Sequence, residues 1–218
     1  METRYSSEVA IDIGPDLQLE GELVIPLKAT GIVIFSHGSG SSRHSPRNKK
    51  VAHLLQANQI GTLLFDLLTP QEDSVYATRF NIDLLTRRLV LTTQWLVQFE
   101  PARNCRFGYF GASTGAASAL TAAALLPEIK AVISRGGRPD LAMDMLHRVH
   151  APTLLIVGSI DHDVLRLNEQ AFEALTCEKK LAVVEGASHL FSEKGALEMV
   201  ADMAIAWCRK YLTGIAVA

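Results

Sequence analysis

Three short stretches of this sequence carry residue types able to act together on a carbonyl group. Gly111-Ala112-Ser113-Thr114-Gly115 has the pattern G-x-S-x-G, with an apolar run ending at Phe110 before it and an alanine-rich segment, Ala116–Ala124, after it. That strand–turn–helix setting suits a nucleophilic serine. A sharp turn lifts the hydroxyl into solvent, and small flanking residues tolerate the strained backbone. The start of the following helix also aims N–H groups and partial positive charge at the hydroxyl. The competing reading is an ordinary Gly-Ser turn in which Ser113 caps the helix. Further along, Leu154–Val157 runs into Gly158-Ser159-Ile160-Asp161-His162-Asp163, and Leu181–Val184 runs into Glu185-Gly186-Ala187-Ser188-His189. Serine, acid and histidine in that chain order make a nucleophile, an orienting carboxylate and a base that takes and returns a proton near neutral pH. Asp161 is preferred as the acid because it lies nearer the strand end, while Asp163 is placed like a helix N-cap; a solvated loop pair remains the alternative for both.

A serine nucleophile also needs N–H donors for the developing oxyanion. His37-Gly38-Ser39-Gly40-Ser41-Ser42, after the apolar run Ile32–Phe35, is a glycine-rich loop that lets backbone approach substrate. The expected donors are the N–H groups of Ser39 and Thr114. Neither phosphate-cradling glycine pattern is present here. His37, at the loop entrance, is expected to organise this loop and to lie beside the substrate. His44 and His53 lie before and within a helix, and His147 and His150 at a helix end; their spacing with His162 is not that of a zinc site. Arg135 and Arg138, in Ser134-Arg135-Gly136-Gly137-Arg138-Pro139, are placed to clamp a substrate carboxylate, against the alternative that they are solvated or pair with acids such as Asp140. Arg43 and Arg47 are weaker candidates for the same task. No metal or cofactor is required.

The elements that must position these residues follow from hydrophobic periodicity. Glu8–Ile13 and Leu17–Ile25 alternate apolar and polar residues around Gly14-Pro15-Asp16, which predicts an antiparallel hairpin with one wet face. Runs at 32–35, 62–65, 105–110, 131–133, 154–157 and 181–184 are short and mostly continuously apolar, as in strands covered on both faces. Segments 46–58, 81–99, 114–126, 140–148, 164–175 and 193–212 have helical spacing. Alternation of this kind implies a mostly parallel sheet with right-handed crossovers and ligands bound beyond the carboxyl ends of the strands, where the serine, acid, histidine, oxyanion-loop and Arg135–Arg138 candidates fall.

The 218 residues suit one domain, 1–218, and a net charge of −2 gives no basic footprint for nucleic acid. No apolar stretch reaches membrane-spanning length, and the first residues lack the apolar core of a secretion signal. Three scattered cysteines, Cys105, Cys177 and Cys208, form no disulfide framework, so a cytoplasmic protein with reduced thiols, monomeric or homodimeric, is expected.

On the N-terminal hairpin, His37-Gly38-Ser39-Gly40, the G-x-S-x-G turn, Gly158…Asp161…Val164 and Gly186…His189, the chain resembles the α/β-hydrolases, and within them the small dienelactone hydrolase-like members. The resemblance implies an eight-stranded, mostly parallel sheet with helices on both faces and hydrolysis through an acyl-enzyme. It departs at the nucleophile, which is cysteine in dienelactone hydrolases proper and serine here. Between Ile133 and Thr153 there is room for one short helix only, so no lid domain is expected. These features point to cleavage of small carboxylic esters, lactones or thioesters at an open site. An acyltransferase or perhydrolase using the same triad, or a non-catalytic ligand-binding descendant of the fold, are the rival readings.

Overall fold

The computed structural model describes residues 2–15 and 17–213; Met1, Asp16 and residues 214–218 lie outside the described residues. Asp16 belongs to the expected hairpin turn, whose described part is closed by Ile13 N–H donating to Leu17 O at 3.1 Å. Strands β1 (Thr3–Asp12) and β2 (Gln18–Pro26) pair antiparallel over nearly their whole length. The chain continues through β3 (Gly31–Ser36), α1 (Pro46–Ala57), β4 (Gly61–Phe65), a one-turn helix α2 (Pro70–Asp73) and α3 (Ile82–Gln98). It then runs through β5 (Arg106–Ala112), α4 (Thr114–Leu125), β6 (Ile129–Arg135), β7 (Thr153–Gly158), α5 (His162–Ala174), β8 (Lys179–Val184) and α6 (Ala196–Tyr211).

The eight strands form one sheet in the order β1-β2-β4-β3-β5-β6-β7-β8, in which β2 runs antiparallel to both its neighbours, β1 and β4, and the remaining neighbours are parallel. Burial explains the two sequence patterns. Strands β3, β4 and β7 are buried at every position, because helices cover both faces, whereas the edge strands β1 and β8 leave much of their surface exposed. One face packs Ile32, Ile34, Tyr109 and Val132 against Leu85 and Leu89 of α3 and Leu120 of α4. The other packs Val33, Phe35, Phe110 and Ile133 against Val51 and Leu55 of α1 and Val200 and Ala204 of α6. Between β6 and β7 the chain holds a 3₁₀ helix at Pro139–Arg148 and no inserted domain.

The structure departs from the periodicity reading in several places; β1 begins at Thr3 rather than Glu8, and β5 and β6 run on to Ala112 and Arg135. Helix α6 begins at Ala196 rather than near 193, because Gly195 at φ 83° breaks the helical path just before it. Helix α5 begins two residues earlier than expected, at His162. Segment 66–81 contains α2 and a 3₁₀ helix at Tyr76–Phe80, both too short to show a period.

The cysteines sit in distinct surroundings. Cys208 is fully buried and its thiol is pushed up to about 12 by loss of solvent; Cys105 is buried and raised for the same reason; Cys177 is half-buried. Thiolate is the reactive form. A disulfide-exchange reagent applied to the folded protein should therefore modify Cys177 alone in the fast phase, with Cys105 and Cys208 reacting only on unfolding. A fast phase that survives Cys177→Ser would refute this.

Candidate active site

Ser113 lies between β5 and α4 at φ 52°, ψ −123°, a conformation that costs a non-glycine residue about 1–3 kcal/mol. Its backbone is held on several sides. Its N–H donates to Arg135 O at 3.3 Å, and its carbonyl accepts from Ala116 N at 3.1 Å and Arg138 N at 3.0 Å. Gly115 permits the turn by its missing Cβ, which would otherwise run into the carbonyl oxygens of Ser36 and His37 at the end of β3. Helix α4 therefore lies backbone-close against that strand end, and Ser118 Oγ bonds Ser36 Oγ at 2.8 Å beneath it.

His189 and Asp161 come from separate loops that touch through their backbones. A Cβ on Gly158 would strike the Ala187 carbonyl, and Ile160 N–H donates to Ala187 O at 3.1 Å. This approach brings His189 Nδ1 to 2.7 Å from Asp161 Oδ2, with the aspartate side chain 15% exposed and the histidine 38%. Asp161, not Asp163, occupies the N-cap position of α5, yet it makes no capping bond to the helix. Its carboxylate reaches the histidine instead, forgoing a cap of about 0.5–2 kcal/mol. Asp163 is exposed in the first turn of α5.

A cleft of about 270 Å³ runs past Ser113 and His189 and is walled by Gly38, Ser39, Ser41, Ser45, Arg47, Asn48, Ala112, Arg135 and Leu190. Ser39 and Thr114 are adjacent, the Ser39 N–H donating to Thr114 Oγ1 at 2.9 Å. His37 stands behind this wall. Its Nε2 accepts from Leu67 N–H at 3.1 Å, which leaves the ring proton on Nδ1 to donate to Gly38 O at 3.0 Å. Burial holds it below the ordinary histidine value and therefore neutral.

The arginines separate. Arg138 makes a bidentate pair with Asp140, both bonds at 2.8 Å, and is not among the residues that wall the cleft. Arg43 is engaged by Glu20 at 2.7 Å and Asp66 at 3.4 Å. Arg135 and Arg47 line the cleft. Ser45 and Asn48 also reach it, although motif reading did not single them out. The only signal for them was Ser45-Pro46, a cap followed by a first-turn proline, which marks a helix start on the site side.

No family model matches the sequence. The chain is 50% identical to a dienelactone hydrolase of Anabaena variabilis whose crystal structure is known, covering 98% of this chain and 100% of that one, with a TM-score of 0.94. An esterase domain from a Rhodothermus marinus protein aligns at 19% identity over 95% of this chain and 99% of that one, TM-score 0.76, and shares the fold. Two Mycobacterium tuberculosis proteins, from strains CDC 1551 and H37Rv, carry a provisional phosphoribosyl transferase name and are 51% identical over 208 residues. The match takes in 95% of this chain and 47% of theirs, so the chain spans about half the length of these curated relatives.

His37 yields a pH test. The unfolded chain binds a proton here below about pH 6.5 and the folded chain resists it, so this stabilisation is complete above that pH and is lost as pH falls. His37→Gln, whose amide oxygen can accept from Leu67 without titrating, should be less stable than wild type by about 1–3 kcal/mol at pH 7.5. The gap should narrow towards pH 5.5, by no more than roughly 1.4 kcal/mol per pH unit. Urea unfolding of both proteins across that range decides it; a gap that widens on acidification contradicts a neutral His37.

Proposed function

This chain belongs to the dienelactone hydrolase family of α/β-hydrolases, and we propose that it is a serine hydrolase that cleaves small carboxylic esters through an acyl-enzyme. The observation that carries the reading is the His189–Asp161 pair at 2.7 Å, sharing a cleft with a serine held at positive φ. Asp161 takes Nδ1 of the imidazole, so Nε2 is the nitrogen available to Ser113. His189 removes the Ser113 proton as Oγ attacks the ester carbonyl, and Asp161 stabilises the resulting imidazolium. The proton then passes to the departing alcohol. Water, deprotonated by the same histidine, opens the acyl-enzyme, releasing the acid and restoring Ser113.

The oxyanion is assigned to the N–H groups of Ser39 and Thr114. In the free protein the Ser39 N–H donates to the Thr114 hydroxyl. Substrate has to take over that donor as Thr114 turns its Oγ1 aside, and the donor is already fixed in place by the loop that His37 braces. His37 thus has a positioning role rather than a proton-transfer role.

A cleft closed by no inserted domain between β6 and β7 supports short or soluble acyl groups over long-chain fats. The transferase name of the longer relatives is not carried over, because the chemistry-bearing groups gathered here are a hydroxyl, an imidazole and a carboxylate, the set for acyl transfer to water.

Initial rates on p-nitrophenyl esters from acetate to palmitate test the proposal. Turnover should be highest on the short esters and fall by at least about a thousandfold in Ser113→Ala. Asp161→Asn should lose roughly 10²–10⁴-fold in kcat, and Asp163→Asn should stay near wild type. Activity retained in Ser113→Ala would eliminate the nucleophile assignment, and a profile peaking at palmitate would eliminate the open site.

A further inference from the structure

Two arginines in the described residues have side chains almost completely removed from solvent, and they are treated differently. Arg88, 8% exposed, is paired with the Glu72 carboxylate. Arg135, 7% exposed, has no carboxylate within ion-pair distance among the described residues. The groups it contacts are neutral: one Nη donates to Asn48 Oδ1 at a long 3.4 Å, and the guanidinium carbon lies 6.0 Å from the Phe191 ring centroid, while the one charge near enough to act on it is a like charge, that of Arg47. Its Nε has no hydrogen-bond partner in the described structure, which is equally true of Arg88 Nε, so the missing carboxylate is what sets Arg135 apart. An uncompensated charge and a lone buried donor both cost stability, so their retention calls for a compensating group.

The place of Arg135 indicates what that group is. Ala131, Ile133 and Arg135 alternate onto the same face of β6, the face covered by α1, so the guanidinium points towards the first turn of that helix. Its backbone pairs with Ala112 and accepts the Ser113 N–H, which ties it to the nucleophile turn. In the same cleft stands Arg47, near enough that its charge joins burial in lowering Arg135 to about 10, still protonated at neutral pH. Arg47 likewise has no acidic partner among the described residues. Ser41 and Ser45 line the same cleft at the positive end of α1, the Ser45 hydroxyl capping the helix by accepting from Asn48 N–H at 3.4 Å.

We infer that Arg135 and Arg47, with Asn48, Ser41 and Ser45, form a subsite for a phosphate monoester group carried by the substrate, beside the scissile ester. A carboxylate neutralises one guanidinium and leaves the mutual repulsion of the pair in place; a dianion neutralises both. A tetrahedral phosphoryl group also presents three acceptor oxygens to forked donors and hydroxyls arriving from different directions. The phosphate is a handle and is not itself cleaved. For the rest of its substrate this inference rests on the ester-hydrolase reading, whereas the binding site does not.

Titration calorimetry of the full chain at pH 7.5 and fixed ionic strength, with inorganic phosphate and separately with acetate, tests the subsite independently of catalysis. Phosphate should bind saturably at one site per chain, acetate at least about tenfold more weakly. Arg135→Met fills the buried space without the charge, and Arg47→Ala changes a half-exposed residue. Each should weaken phosphate at least about tenfold while the thermal midpoint shows the fold intact. If Arg135→Met does not fold, Arg47→Ala carries the comparison alone. Binding of phosphate with no turnover of p-nitrophenyl acetate would sustain the subsite while removing the ester reading. Absence of saturable phosphate binding, binding that neither substitution weakens, or acetate binding as tightly as phosphate would each overturn the inference.

Discussion

A positive-φ serine persists only where the surrounding atoms leave it no relaxed alternative. At Ser113 that constraint comes from the backbone contact of α4 with the end of β3, a contact open only to glycine at position 115. Sheet register transmits it outward. Ser36 pairs with Gly111, Gly111 with Ser134, and Ala112 with Arg135, so the ends of three adjacent parallel strands are aligned at the turn. The loops that follow these strands inherit that alignment. Ser39 meets Thr114, the 136–138 segment bonds the Ser113 carbonyl, and Asn168 of α5 reaches back to Gly137 O at 3.0 Å.

A second constraint works through hydrogen bonds withheld from secondary structure. Asp161 stands where a cap belongs and gives its carboxylate to His189. Buried Arg135 stands where an acid partner belongs and receives an amide oxygen and an aromatic face. Both depart from what stability alone favours, and both line or adjoin one cleft. Local rules are broken where a site is built, while the sheet and its helices obey them.

His37 shows the opposite arrangement. A polar side chain near the cleft is fully engaged by Leu67 N–H and Gly38 O, and burial keeps it neutral. Protonation would put a hydrogen on Nε2 facing the Leu67 N–H, donor against donor, while Nδ1–H kept its bond to Gly38 O, so the loop is stiffest when the ring is uncharged. The imidazole at position 189 has the reverse circumstances, partly exposed and backed by a carboxylate. Two histidines of one chain thus have opposite surroundings, one buried and fully engaged by backbone, the other opening onto the candidate site.

By itself the sequence determined the architecture: alternating and continuous apolar runs report whether one or both faces of a strand are covered, and that periodicity survives without knowledge of partners. It also placed Ser113, Asp161 and His189 at strand ends, because glycine-flanked turns after apolar runs are local signals. The short α2 was readable in principle, since Thr69-Pro70-Gln71-Glu72 is a capping box with a first-turn proline, but one turn is too brief for a period. Tertiary structure alone decided the partnerships. Asp161 faces the histidine while Asp163 faces solvent, Arg138 and Arg43 have acids while Arg135 and Arg47 have none among the described residues, and Ser45 and Asn48 reach the cleft. Each depends on distances between residues tens of positions apart in the chain, set by sheet register and helix packing, and such distances leave no imprint on the local pattern of a single sequence.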